Sequence, residues 1–228
     1  MTTIATWNLH HMGREVAIPK GVVPVIEAVK PDVLVLTEYV DRGKRAEFLY
    51  ALQRAGYLHV RQTDPAKGQN QVLIASQVEQ EDRQLAAPEV DEAAATNFLH
   101  RFLPSKRLHV VGFRVPHYQS EKPVRPEKLV KYWRQFTRMA LGLASQKVVF
   151  IGDFNVGKSK ADAAGQKALR TLVKAGYRMC AEEGGLDRAL VSGSLTVQSF
   201  SVIDAAVGYR LTGTGGLSDH AMLMVEVD

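Results

Sequence analysis

Four short polar clusters interrupt the apolar segments of this chain, and their residue types suit phosphoester chemistry. They are Trp7-Asn8, Thr37-Glu38, Gly152-Asp153-Phe154-Asn155 and Ser218-Asp219-His220. Glu38, Asp153 and Asp219 are hard oxygen donors, and Asn8 and Asn155 are neutral ones. Oxygen-rich sets of this kind select Mg2+ or Mn2+ over zinc. His220, beside Asp219, offers a proton or a positive charge to a phosphoryl oxygen. Together these groups are the minimum for metal-assisted phosphodiester hydrolysis. Each alone is weak. A glutamate after a strand is more often a solvated charge or a helix cap, Asn155 serves equally as a turn residue, and Asp219-His220 as a surface pair.

Chemistry at these positions needs elements that bring them together. Each cluster abuts a predicted strand: Ile4–Trp7, Val33–Leu36, Val148–Ile151 and Ala221–Val227. The continuous apolar runs Val33-Leu34-Val35-Leu36 and Val148-Val149-Phe150-Ile151 suit strands covered on both faces. Further strands are expected at Tyr57–Gln62, Gln71–Ser76, Phe98–Leu103, Leu108–Val115, Leu186–Val191 and Leu195–Val202. Helical spacing covers Ala17–Lys30, which Pro31 stops, then Ala46–Ala55, Glu127–Ser145 and Asp162–Ala175. Paired strands interrupted by helices predict two mixed sheets layered between helices, an α/β sandwich rather than a simple doubly wound sheet. A glycine-rich loop, Gly213–Leu217, precedes the last strand, and no internal repeat appears.

Composition bounds the partners. The chain has 228 residues, and with no visible linker a single domain over 1–228 is expected. Hydrophobic residues make up 46%, enough for a sizeable core, which excludes a disordered chain. The net charge of +5 is a mild bias toward polyanionic partners. The single cysteine, Cys180, excludes an internal disulfide and argues against a thiolate zinc site. No apolar run is long enough to span a membrane and no signal peptide is visible, so the expected place is the cytoplasm.

The order of the clusters resembles the endonuclease/exonuclease/phosphatase family, which includes DNase I-like nucleases and exonuclease III-like abasic-site endonucleases. The matching pieces are Thr6-Trp7-Asn8-Leu9, Pro31-Asp32-Val33-Leu34-Val35-Leu36-Thr37-Glu38, Gly152-Asp153-Phe154-Asn155, Leu186-Asp187-Arg188-Ala189-Leu190-Val191-Ser192 and Leu217-Ser218-Asp219-His220. The resemblance implies a four-layered α/β sandwich, DNase I-like, with two packed mixed sheets flanked by helices. It implies Glu38 as the main metal ligand, with Asn8 near the metal or its water. Asp153 would orient or deprotonate the attacking water, and Asn155 would hold the phosphate or the nucleophile. Asp219 would support His220 or a metal, and His220 would contact the scissile phosphate. Asp187 would accept a hydrogen bond from His220 and fix its tautomer.

The chain departs from the family pattern in places. Arg114 stands where a His or Tyr usually touches the phosphate. An arginine forks onto phosphate oxygens but delivers no proton near neutral pH. His117, three residues on, is a substitute contact. His10 stands where some members carry a second acid.

Gly152–Ser159 also fits the G-x-x-x-x-G-K-[ST] phosphate-loop pattern, in which Lys158 would meet a phosphate. That NTPase reading ranks last, because few residues follow the loop and no guanine-reading motif does. Lys128, Lys131, Arg134 and Arg138 recur at helical spacing, either as a ridge for a nucleic-acid backbone or, as preferred, as a solvated helix face. Arg14, Lys20, Arg42, Lys44 and Arg45 add charge near the first two motifs, and Ser120–Pro126 is a loop that could gate substrate.

The expectation is therefore a Mg2+- or Mn2+-dependent phosphodiester hydrolase, first a nuclease on DNA or RNA. The alternatives are a phosphatase or phosphodiesterase acting on a phospholipid, inositol phosphate or nucleotide, and a non-catalytic phosphate-binding protein.

Overall fold

Two apolar runs set the layers. In Val33–Leu36, Val33 and Val35 turn to one face of a sheet and Leu34 and Leu36 to the other, and all four are fully buried. The period of two along a strand sends alternate side chains to opposite faces, so such a run must be covered twice. Val149 and Ile151 meet the first set across a sheet–sheet core, while Phe150 faces helices.

The computed structural model describes residues 1–10, 18–40, 45–67, 69–83, 85–118 and 126–228. In chain order the elements are β1 (Thr2–Asn8), α1 (Val22–Val29), β2 (Val33–Tyr39), α2 (Arg45–Arg54), β3 (His59–Gln62), β4 (Gln71–Ser76) and α3 (Glu92–Thr96). Then come β5 (Phe98–Leu103), β6 (Leu108–Arg114), α4 (Pro126–Gly142), β7 (Val148–Asp153), α5 (Ala163–Lys174) and β8 (Arg178–Ala181). The chain ends with β9 (Asp187–Val191), β10 (Val197–Ile203), the short β11 (Ala205–Ala206) and β12 (Tyr209–Arg210), and β13 (Met222–Val227).

One sheet runs β10-β13-β1-β2-β4-β3 and the other β5-β6-β7-β9-β8. Each contains one parallel pair, β1 with β2 and β6 with β7, and each pair is joined by a connection that carries a helix, α1 or α4. The remaining pairings are antiparallel, so both sheets are mixed. Helices α1 and α2 pack on the outer face of the first sheet, and α4 and α5 on that of the second. This is the expected four-layered α/β sandwich. The layers approach closely at Gly112 of β6, where a Cβ would lie 2.6 Å from the Val35 side chain.

Several boundaries differ from expectation for identifiable reasons. Helix α1 begins at Val22, not Ala17. Pro24 accepts a place in a first turn, but its ring collides with the carbonyl four residues earlier, so the helix cannot extend far upstream. Lys30, left-handed at φ 47°, closes it just before Pro31. In α4, Leu129, Tyr132, Trp133, Phe136 and Ala140 are buried, as expected of the core positions, while Lys131, Arg134 and Arg138 face outward, an arrangement that suits either reading of the basic spacing. Lys128 pairs with Asp91 at 2.8 Å, and Asp91 also caps α3. Arg14, Arg42 and Lys44, and the loop through residues 120–125, lie outside the described residues. Arg45, expected to add charge near the first two motifs, is buried with its Nε donating to the Val40 carbonyl at 2.6 Å. No described helix is long and apolar enough to cross a membrane.

Candidate functional site

The site lies at one rim of the sandwich, where β1, β2 and β13 of one sheet meet β6, β7 and β9 of the other. Parallel pairing explains the grouping. Asn8 is the register partner of Thr37, which precedes Glu38, and Arg114 is the register partner of Asp153. Asp153 is also opposite Asp187 across the β7–β9 pair. Five candidate side chains, Asn8, Glu38, Arg114, Asp153 and Asp187, thus arrive at one rim, because β1, β2, β6 and β7 end there and β9 begins there.

Local backbone irregularities aim them. Glu38 has φ 55° and sits in a β-bulge, where the register slips between Leu36 and Tyr39. The extra residue turns the carboxylate out of the strand alternation. Asn155 at φ 47° and His10 at φ 48° are also left-handed. Non-glycine residues in that region cost energy and cluster where function imposes geometry. Gly152 has φ +147°, and a Cβ there would lie 1.9 Å from the Phe113 carbonyl oxygen. The glycine before Asp153 is therefore a steric requirement of β6–β7 packing.

The side chains form one connected set. Asn8 Nδ2 donates to Asp153 Oδ2 at 3.2 Å, and the Asn155 amide N–H donates to Asp153 Oδ1 at 2.9 Å. Asn155 Nδ2 donates to the Val115 carbonyl at 2.6 Å, tying this loop to the end of β6. Arg114 Nε donates to Glu38 Oε1 at 2.7 Å and lies 3.7 Å from Asp153 Oδ2. His220 Nδ1 and Asp187 Oδ2 are 2.5 Å apart. Asp219 lies between two imidazoles, 2.8 Å from His10 Nδ1 and 3.7 Å from His220 Nε2. A cleft of about 380 Å3 opens beside His220, lined also by Asp187, Asp219, Leu186, Val202 and Thr212.

Burial sets the electrostatics. Asp153 is 2% exposed. Burial and the charge of Asp187 push its carboxyl well above the usual carboxylate range, against the lowering pull of Arg114 and His220. Burial alone would lower the His220 imidazole. The hydrogen bond and charge of Asp187, with the charges of Asp153 and Asp219, outweigh it and raise the ring to about 9. His220 is thus an imidazolium at neutral pH, held by Asp187.

Lys158 lies apart from this set. It is exposed and pairs with Glu183 at 3.3 Å, beside a larger cavity of about 720 Å3 between α5 and β8. That cavity's lining includes none of Glu38, Asp153 and His220. His117 is exposed on the loop after β6. The phosphate-loop reading fails on geometry. Gly157 N–H and Ser159 Oγ both donate to Asp162 Oδ2, at 3.1 and 2.7 Å, so an internal carboxylate fills the place a phosphate would take. Gly152, moreover, lies within β7 rather than opening a loop.

Three positioning residues carried no role in the sequence reading. Ser218 Oγ donates to the Asn8 carbonyl at 2.7 Å and accepts from His220 N–H at 3.1 Å. Trp7 Nε1 donates to the His220 carbonyl at 3.0 Å. These two and Arg188 sit within the matched motifs, so the motifs themselves were their signal. Arg188 Nη2 donates to the carbonyls of Val156 and Gly185, joining the loop after Asn155 to the one before Asp187.

The oxygen donors of Glu38 and Asp153 fit a hard divalent cation, with the Asn8 amide bonded to Asp153 beside them. Two buried carboxylates from opposite sheets face one cationic group, and an oxygen-rich pair of that kind demands a positive charge between them.

Comparison with known proteins identifies the family and the fold. The model of the Endonuclease/Exonuclease/phosphatase family matches residues 5–220. An AP endonuclease from Archaeoglobus fulgidus superposes with a TM-score of 0.72 at 20% identity, covering 100% of both chains. A 3'-5' exonuclease from Neisseria meningitidis, NExo, gives 0.70 at 17% identity over 99% of both chains. A Neisseria NExo 3' phosphatase bound to a product DNA hairpin gives 0.70 at 18% identity over 100% of both. No curated protein sequence gives a significant match.

Proposed function

The chain belongs to the endonuclease/exonuclease/phosphatase family, and from that premise we propose that it is a Mg2+- or Mn2+-dependent nuclease, hydrolysing phosphodiesters of DNA or RNA. The observation that carries the proposal is the connected set Glu38–Arg114–Asp153–Asn8 with Asp187–His220 at one rim. Glu38, with Asp153 and Asn8 nearby, would hold a divalent cation, which when bound would supply positive charge to the phosphoryl group.

The protein's own groups do the rest. Asp153, with its raised proton affinity, takes the proton from the attacking water; a base is most effective when its pKa approaches the working pH. His220, positively charged, donates through Nε2 to a non-bridging oxygen as charge builds on phosphorus, and Asp187 holds the ring in that orientation. Arg114 reaches the same phosphate with its free guanidinium N–H groups. Asp219 and His10 flank the entry.

Nucleic acid is favoured over a small phosphoester by the basic balance of the chain and by the DNA-bound relative. The test is a panel of plasmid, abasic duplex, single-stranded RNA, a phosphoinositide and a generic phosphodiester, with Mg2+ and with EDTA. Cleavage of nucleic acid that weakens steeply with salt supports the proposal. Turnover confined to the phosphoinositide, with a flat salt response, refutes the nucleic-acid assignment.

A further inference from the structure

Arg114 is placed where a metal-dependent hydrolase would not be expected to keep a cation. It is the last residue of β6, and its guanidinium crosses from the second sheet to Glu38 of the first, 2.7 Å from Oε1 and 3.7 Å from Asp153 Oδ2. All three side chains are withdrawn from water, at 13%, 6% and 2% exposure, so their charges are weakly screened. The bulge that gives Glu38 its φ of 55° delivers the carboxylate to this guanidinium. Among the described residues no three His, Cys, Asp or Glu side chains converge as a ready ligand cage. The guanidinium already lies between the two carboxylates.

We infer that Arg114 is the site's resident counter-cation: it pairs with Glu38 and faces Asp153 in the cation-free protein, and a divalent ion and the guanidinium compete for these carboxylates. This rests on the functional reading above and deepens it. The guanidinium already offsets part of the carboxylate charge and holds Glu38 by a hydrogen bond, so the ion gains less while Arg114 stays there. An anionic phosphate offers the guanidinium a bidentate partner of its own. Drawing Arg114 off the carboxylates leaves them to the ion. Divalent-ion binding and phosphate binding are therefore positively coupled through this one side chain, and the coupling is reciprocal. The apo protein holds its ion weakly, and the phosphoester completes the site.

The test measures binding, not turnover. Mn2+ affinity is determined by electron paramagnetic resonance and by Mn2+-induced thermal stabilisation, for the wild type, Arg114→Gln and Arg114→Lys, each with and without inorganic phosphate. The inference expects Arg114→Gln to bind Mn2+ at least tenfold more tightly than the wild type. Phosphate should tighten Mn2+ binding to the wild type and lose that effect in Arg114→Gln. Arg114→Lys keeps a charge but no fork, so it should lie between. If Arg114→Gln folds only when Mn2+ is added, the competition is demonstrated directly. Equal or weaker Mn2+ binding in Arg114→Gln overturns the inference while leaving the hydrolase reading standing, as does a variant that Mn2+ fails to fold. If no variant and not the wild type binds Mn2+, the metal-dependent reading falls, and the inference with it.

Discussion

His220 and Asp187 are joined at 2.5 Å although they belong to different sheets, His220 leading into β13 and Asp187 opening β9. The bond closes the rim of the sandwich at the cleft. It fixes which imidazole nitrogen faces outward, since Nδ1 is committed to Asp187 and Nε2 is turned toward Asp219.

Asp187→Asn should therefore cost about as much as His220→Ala. By analogy with other oriented imidazoles, each should lower kcat by about 10^3- to 10^4-fold. Because the two act as one unit, the double variant should lose little more than either single one. Single-turnover cleavage with saturating Mg2+ measures all three. A loss in Asp187→Asn ten times smaller than in His220→Ala would break the pairing.

Gly152→Ala tests the steric demand of the strand that carries Asp153. Its Cβ would lie 1.9 Å from the Phe113 carbonyl oxygen, at a backbone angle that L side chains avoid. The strands must part or the residue must rotate, at a cost of about 2 kcal/mol or more. Urea unfolding should show the loss, accompanied by reduced turnover. A variant as stable and as active as the wild type would refute the packing argument.

The His100–His109 pair predicts acid sensitivity remote from the site. The rings stack at 5.1 Å with His100 Nε2 2.9 Å from His109 Nδ1, and His100 is buried. Burial, then the charges of His109 and Arg101, hold His100 down to about 4, with Asp82 and a backbone contact pulling weakly the other way. The unfolded chain binds this proton near pH 6.5, so stability rises with pH across the window from 4 to 6.5. The contribution is complete above about 6.5 and lost as pH falls through 4, a difference on the order of 3 kcal/mol. His100→Phe should flatten that limb in denaturant melts taken at successive pH values. Parallel curves for variant and wild type would contradict it.

These relationships were legible in the sequence to different depths. The runs at Val33–Leu36 and Val148–Ile151 announced two-sided burial, and the polar clusters after them announced a rim, because strand ends are where loops converge. The layered sandwich followed from the mixture of paired strands and interrupting helices. Arg178–Ala181 went unread because an edge strand with Met179 exposed shows no alternation. Glu92–Thr96 is too short for periodicity, and its signal was the cap, Asp91. The start of α1 was misplaced because the helical spacing outweighed Pro24. In the candidate site, chain order does not say what crosses between sheets. The Arg114–Glu38 pair depends on a bulge one residue long, and Arg188 acts by the reach of its side chain to two loop carbonyls. Lys158 was drawn in by a motif whose anion place Asp162 occupies.

The central claim is that Glu38 makes phosphodiester hydrolysis depend on a divalent cation. It is tested most directly by comparing turnover of the wild type and Glu38→Gln on the most responsive nucleic-acid substrate, with Mg2+ and with EDTA, while circular dichroism follows the fold. The account predicts hydrolysis by the wild type with Mg2+ alone, and a folded Glu38→Gln protein without it. Unchanged turnover in Glu38→Gln, or wild-type turnover that persists in EDTA, would contradict it.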